Sequence, residues 1–224
     1  MRQPWVVSIS GIVLTAAVGL SGHQLQTPAE WKWRFDRAAE VTNSSGAADA
    51  SKLYFVAMPP GWHMTGGPGA LLFHPEYQGK GNFALEMDVF LFPDSGDQEY
   101  GVFVGGRALE PSSTTPEYTA FLLRKDGRAA VIRRSGGQER RLVDWIANSS
   151  ALAIPAGGKD DVKNVLRVDV GAVDVVFSAN GKEIAKVLRS DVSPDGQFGF
   201  RVGTGVNLHT SQLSVTYKLA PVRK

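Results

Sequence analysis

The chain predicts an all-β fold, a two-sheet antiparallel jelly-roll β-sandwich in a single domain. The segment from Asn164 to Leu219 carries this most clearly. Leu166, Val168 and Val170 alternate with Arg167 and Asp169, the two-residue period of a strand with one face in a core. Asn180-Gly181 then separates two alternating runs, and this pair tolerates positive φ at both centres of a type I′ hairpin turn. A Gly-opened strand follows with Phe198, Phe200 and Val202 inward. The last strand places Leu213, Val215, Tyr217 and Leu219 on one face.

The middle of the chain repeats this grammar. Strands are expected over Leu53–Met58, Ala70–His74, Asn82–Phe92, Tyr100–Val104, Tyr118–Arg124, Ala129–Arg134 and Glu139–Trp145. Between them lie Pro59-Pro60-Gly61, Gly66-Gly67-Pro68-Gly69, Gly79-Lys80-Gly81, Pro93-Asp94-Ser95-Gly96, Lys125-Asp126-Gly127 and Ser135-Gly136-Gly137. Glycine supplies positive φ and proline presets the first turn angle, so these are chain reversals with a mechanism. Regular short strands with such breaks point to a sandwich or barrel. Only Pro28 to Glu40 has spacing suited to a short amphipathic helical turn.

The first residues bear on location. Met1-Arg2-Gln3 is a short basic start, Val6 to Leu20 is apolar, and Ala17, Gly19 and Ser21 are small. This is the pattern of a cleaved signal peptide, here 1–22. A run of about 15 apolar residues is short of the roughly 20 that span a bilayer. The protein is therefore expected to be secreted or periplasmic, with no stable membrane insertion after cleavage. Residues 23–52 join the sandwich and 53–224 build it. The 224 residues contain no Cys, and a core of this size needs no disulfides.

The net charge is +2, from 24 Lys and Arg against 22 Asp and Glu. Basic residues are scattered, and even Arg133-Arg134 and Arg140-Arg141 lack interleaved aromatics, so no nucleic-acid partner is expected. His23, His63, His74 and His209 lack the paired spacing of zinc ligands. Asp94, Asp97 and Glu99 cluster in one loop and could offer oxygens to Ca²⁺. The plainer expectation there is hairpin turn chemistry with no cofactor.

Three stretches carry a family resemblance. Phe83-Ala-Leu-Glu-Met-Asp-Val-Phe, Tyr118-Thr-Ala-Phe-Leu-Leu-Arg-Lys-Asp-Gly, and Asn164-Val-Leu-Arg-Val with Phe177-Ser-Ala-Asn-Gly-Lys ahead of Gly196–Arg201 resemble the concanavalin A-like lectin/glucanase superfamily. That group includes laminin G-like modules and the 3-keto-disaccharide hydrolase family. The resemblance implies a curved sheet that binds a polysaccharide or other glycan on its non-core face. It also implies two carboxylates about 5 Å apart in the retaining hydrolases.

Glu86 and Asp88 match the first two acids of the E-x-D-x-x-E motif of the laminarinase-like members. The third place is Leu91, or Phe92 with one residue inserted. The Asn-Ser-Gly and Gly-Tyr-Glu stretches of the 3-keto-disaccharide hydrolases are replaced by Glu99-Tyr-Gly-Val-Phe-Val-Gly-Gly and Tyr118-Thr-Ala-Phe, so no catalytic residue carries over from them. Glu86 and Asp88 remain the catalytic candidates.

As ligand-binding residues we expect Trp62, His74, Glu86, Asp88, Tyr100 and Trp145. Flat rings stack on the apolar faces of sugars while polar side chains take the hydroxyls. The Pro-, Ser- and Thr-rich loop Arg107–Glu117 is a further candidate, since loops on rigid sandwiches often carry function. The expected function is an exported, non-catalytic glycan-binding or interaction module. The alternatives are a glycoside-cleaving enzyme acting on the concave face and a structural or adhesive envelope protein.

Overall fold

The computed structural model describes residues 30–43, 51–147, 150–155 and 160–218. The expected leader, His23 and Leu219 lie outside the described residues. In chain order the elements are β1 (Lys32–Phe35), β2 (Glu40–Thr42), β3 (Lys52–Met58), β4 (Gly61–Thr65), β5 (Ala70–Gly79), β6 (Phe83–Leu91), β7 (Tyr100–Arg107) and β8 (Glu117–Leu123). Then come β9 (Arg128–Ser135), β10 (Gln138–Ala147), β11 (Val162–Val170), β12 (Asp174–Ala179), β13 (Lys182–Leu188), the single turn α1 (Arg189–Val192), β14 (Gly196–Val202) and β15 (Asn207–Tyr217).

They form two packed sheets. One has seven strands in the order β1-β5-β14-β7-β8-β9-β10, the other eight in the order β13-β12-β11-β6-β15-β4-β3-β2. Pairing is antiparallel throughout except between β2 and β3, which run parallel. The expected sandwich is therefore present, with the N-terminal segment supplying an edge strand to each sheet.

Where the sequence spacing allowed a helical turn, 32–35 is a strand instead. Trp33 and Phe35 stack on each other at 5.8 Å, Trp33 meets Phe55 edge-on at 5.5 Å, and β1 takes its register from β5. Burying two large rings against a formed sheet outweighs a weak local helical preference.

The core alternates as the two-residue period requires. Phe83, Leu85, Met87, Val89 and Leu91 of β6 face inward, with Leu166, Val168 and Val170 of β11 beside them. Phe198, Phe200 and Val202 come in from the other sheet. On β15 the inward phase changes at an irregularity between Thr210 and Gln212. Leu208 is buried before it, Leu213 and Val215 are half-buried after it, and Tyr217 is exposed. The β12–β13 hairpin closes through Asn180 (φ 49°) and Gly181 (φ 77°), the positive pair a type I′ turn requires.

A second apolar layer lies on the outer face of the seven-stranded sheet, with Leu71, Phe73, Phe103, Tyr118, Leu122 and Ile132 buried there. The loop after β7 contributes to it: Leu109 is buried in the same cluster, and Arg34 donates to the carbonyls of Glu110 and Ser113. The segment Arg107–Glu117 is thus tied down onto that face. Among the described residues, no helix is long and apolar enough to cross a membrane.

Candidate functional site

The outer face of the eight-stranded sheet is polar and partly open. Because the odd-numbered residues of β6 enter the core, Glu86, Asp88 and Phe90 must stand on its other side, and all three are half-exposed. Backbone register carries this face across neighbouring strands. Arg167, Glu86 and Ser214 share one row over β11, β6 and β15. Lys163, Phe90, His209, His63 and Val56 share another that crosses β11, β6, β15, β4 and β3.

Glu86, Asp88 and Asp169 on this face are each paired with a cation. Arg167 donates from Nη1 to Glu86 at 2.9 Å and, through Nε and Nη2, makes a fork on Asp169 at 2.7 and 3.0 Å. Lys218 reaches the same Asp169 at 2.8 Å, and Lys163 pairs with Asp88 at 2.6 Å. The hydrogen bonds it donates to Asp169 and then to Glu86 hold the Arg167 guanidinium well above its ordinary pKa. Burial pushes the Asp169 carboxyl up, but its bonds to Arg167 and Lys218 leave it below the usual value. Ion pairs this exposed contribute only about 0–1 kcal/mol each, so the row is weakly explained by stability alone.

Next to the acids lies a strip of rings. Phe90 approaches His209 at 5.9 Å, His63 approaches Phe92 at 5.1 Å and Tyr54 at 6.0 Å. The Thr65 hydroxyl donates to Asn207, whose amide donates to Asp94. That hydroxyl can therefore only accept from His63 Nε2, 2.9 Å away, which puts the proton of the neutral ring on Nε2. Burial lowers the pKa of His63, with His209 adding to the effect and Asp94 opposing it; burial likewise lowers His209, against Asp161.

The other residues singled out from the sequence are scattered. Tyr100, expected as a ligand-binding residue, is 1% exposed inside the sandwich, because β7 puts Tyr100, Val102 and Val104 inward; burial raises its pKa against a hydrogen bond with Asn164. Trp145 lies on the other sheet, on edge strand β10, with the Arg124 guanidinium 3.8 Å over its ring. Trp62, expected among the ligand-binding residues, packs inward with Trp31 at 4.9 Å and Phe200 at 5.5 Å. His74 is buried, stacked on Tyr77 at 3.9 Å and bonded to Glu30 at 3.2 Å.

In the loop after β6, Asp94 bonds Asn207 while Glu99 turns to Arg201 at 3.4 Å. Lys125 places its ammonium on the carbonyls of Pro93 and Ser95. Among the described residues no three His, Cys, Asp or Glu side chains are grouped so as to hold a metal ion.

Sequence reasoning placed Glu86, Asp88 and Phe90 on this face but missed Arg167, Lys163 and the His63–His209 neighbourhood. The two histidines read as far apart, yet the β4–β15 ladder sets them opposite each other. The outward phase of Arg167 was legible from its alternation with buried neighbours; its partner on β6 was not.

No family model matches the chain. No curated protein matches it either. Among solved structures it is similar to a family 66 carbohydrate-binding module from Bacillus subtilis, with TM-score 0.56 and 10% identity over 73% of this chain and 91% of that one. It is also similar to a Bacillus subtilis protein of unknown function with a galectin-like fold, at TM-score 0.55 and 12% identity over 87% and 94%. A third is the mixed-linkage glucan GH16 of Bacteroides ovatus solved with its product, at TM-score 0.53 and 9% identity over 86% and 97%. The chain shares the two-sheet β-sandwich fold of these three structures.

Proposed function

We propose that this protein is a glycan-binding module without hydrolytic activity, and that the outer face of the eight-stranded sheet holds the ligand. The observation that carries the reading is the combination on one face of half-exposed rings (Phe90, His209, His63) with planar charged groups (Glu86, Arg167, Asp88) in register. Rings take the C–H faces of a sugar, and carboxylate and guanidinium groups bond its hydroxyls in pairs. The neighbouring folds include a carbohydrate-binding module and a glucanase solved with its product, which supports a saccharide over other ligands.

Cleavage asks for more than this face offers. A retaining hydrolase needs a nucleophile and a proton donor about 5 Å apart, and an inverting one about 6.5–9.5 Å. Glu86 and Asp88 stand two residues apart on one strand, and each is already paired with a cation. The next outward places on β6 are Ala84 and Phe90, and the further carboxylate on this face, Asp169 opposite Ala84 on β11, is already held by Arg167 and Lys218. The reading includes export through the apolar leader, to the periplasm or the medium.

The test is a glycan array with the mature domain, with and without Ca²⁺, followed by calorimetry on the hits. Binding that is lost in Arg167→Ala and unchanged by chelator is expected. Binding to no glycan would end this reading.

A further inference from the structure

Arg133-Arg134, a dense basic spot in the sequence, is divided by the fold. Arg133 donates to the Asp191 carbonyl at 2.6 Å and to the Ser193 hydroxyl at 2.8 Å. Arg134 shares the outer face of the seven-stranded sheet with Ile132, because a two-residue step keeps a side chain on its face. There it lines a small pocket of about 40 Å³ with Arg34, Asp36, Pro116 and Tyr118. The pocket belongs to the sheet opposite the one that carries Glu86 and Arg167, so it is independent of the glycan reading.

Strands far apart in the chain supply its walls. Arg34 comes from edge strand β1, whose register on β5 sets it opposite Leu71. Tyr118 and Arg134 are direct partners on β8 and β9. Opposite Tyr118 the β7–β8 ladder is irregular, between Val104 and Arg107, and bulges re-aim neighbouring side chains. Pro116 adds a wall from the loop that Arg34 ties down through the carbonyls of Glu110 and Ser113.

The charges around this pocket do not balance. Arg34 gives its bonds to neutral carbonyls. Arg134 makes no hydrogen bond or ion pair among the described residues, and its Nε is buried and unanswered. Nearby carboxylates are engaged elsewhere: Asp36 accepts from Arg201 at both oxygens, at 2.8 and 2.7 Å, and Glu117 pairs with Arg107 at 3.6 Å. Glu139, opposite Arg134 in the ladder, makes no ion pair with it. Two guanidiniums thus line one small space with no counter-charge of their own, an arrangement that repulsion and desolvation both oppose.

Tyr118 adds a further polar point. It is 5% exposed and lines the pocket, and its hydroxyl has no hydrogen-bond partner among the described residues. A buried phenol usually finds one. Size then selects the anion. One water needs roughly 10–15 Å³, so this space suits the three heavy atoms of a carboxylate and is tight for the five of a phosphate. Guanidiniums hold carboxylates in paired bonds, and Phe35 and Leu71 offer apolar contact to the adjoining carbon.

We infer that this pocket binds the carboxylate group of a small organic acid, held between the Arg34 and Arg134 guanidiniums with the Tyr118 hydroxyl donating to one oxygen. The probe is acetate, titrated at constant ionic strength into the isotope-labelled intact protein and followed by NMR at the arginine Nε–H signals. Acetamide, its neutral isostere, and sodium chloride serve as controls. Acetate should give saturable shifts at Arg34 and Arg134, and neither control should. Tyr118→Phe keeps the ring against Phe103 and should weaken acetate about tenfold, the worth of one hydrogen bond to a charged group. Arg134→Gln should abolish the saturable shift at Arg34, and should melt no lower than wild type because it removes an unneutralised cation. Glucuronate separates two sources of the carboxylate: tighter binding than acetate assigns it to an acidic sugar, weaker binding to a short free acid. Absence of saturable acetate shifts in wild type, equal shifts with acetamide or chloride, or an unchanged acetate affinity in either variant would overturn the inference.

Discussion

His209 of β15 lies directly opposite His63 of β4; burial holds both rings below their ordinary pKa, and the charge of His209 adds to the lowering at His63. The unfolded chain titrates them near 6.5. Between that value and the lowered folded values, the unfolded state binds more protons, so folding stability rises with pH across this window. The melting temperature should be level above about pH 6.5 and fall as pH drops below it. His209→Gln removes one of the two groups and should flatten that slope. A wild-type and variant pair whose difference stays constant from pH 7 to pH 5 would count against the coupling.

Glu86→Gln keeps shape and removes the charge that meets Arg167. The expected loss in glycan affinity is about 1 kcal/mol, or roughly fivefold in Kd, because the pair is half-exposed and its bonds are shared with water. Stability should change by no more than about 0.5 kcal/mol, as for other surface pairs. Calorimetry on array hits and a denaturant curve measure the two effects separately. Release of reducing ends by wild type, lost in this variant, would show a hydrolase instead.

Asn164 is 1% exposed and ties three segments together. Its Oδ1 accepts from the Ala153 amide at 2.8 Å and from Asn180 Nδ2 at 2.9 Å, and its own Nδ2 donates to the Ala153 carbonyl at 3.0 Å. Asn164→Leu leaves those groups unpaired in a dry place, at an expected cost of about 2–4 kcal/mol. Urea unfolding gives the number. A loss below about 1 kcal/mol would mean that the segment around Ala153 relaxes to find water.

Export predicts a shortened chain. N-terminal sequencing of protein recovered from the producing cell should begin near Ser21 or Gly22, and high-salt washing should leave none on membranes. Recovery of Met1 would identify an uncleaved anchor.

The chain's alternating runs and turn residues by themselves determined the sandwich, the inward set of β6, β11 and β14, and the Asn180-Gly181 hairpin. These are local matters: a two-residue period assigns each side chain to a face, and positive φ selects Asn and Gly. The same alternation put Glu86 and Asp88 outside the core. Only tertiary structure decided what they meet there. Arg167 is 81 positions from Glu86, and a ladder register of that span depends on which strands become neighbours, which no local pattern encodes. Tyr100 and Trp62 went inward for the same kind of reason, one to bond Asn164 and the other to pack on Trp31 and Phe200. Both sheets also slip register, at His74–Tyr77 and at Ser211, and a slip exists only between paired strands.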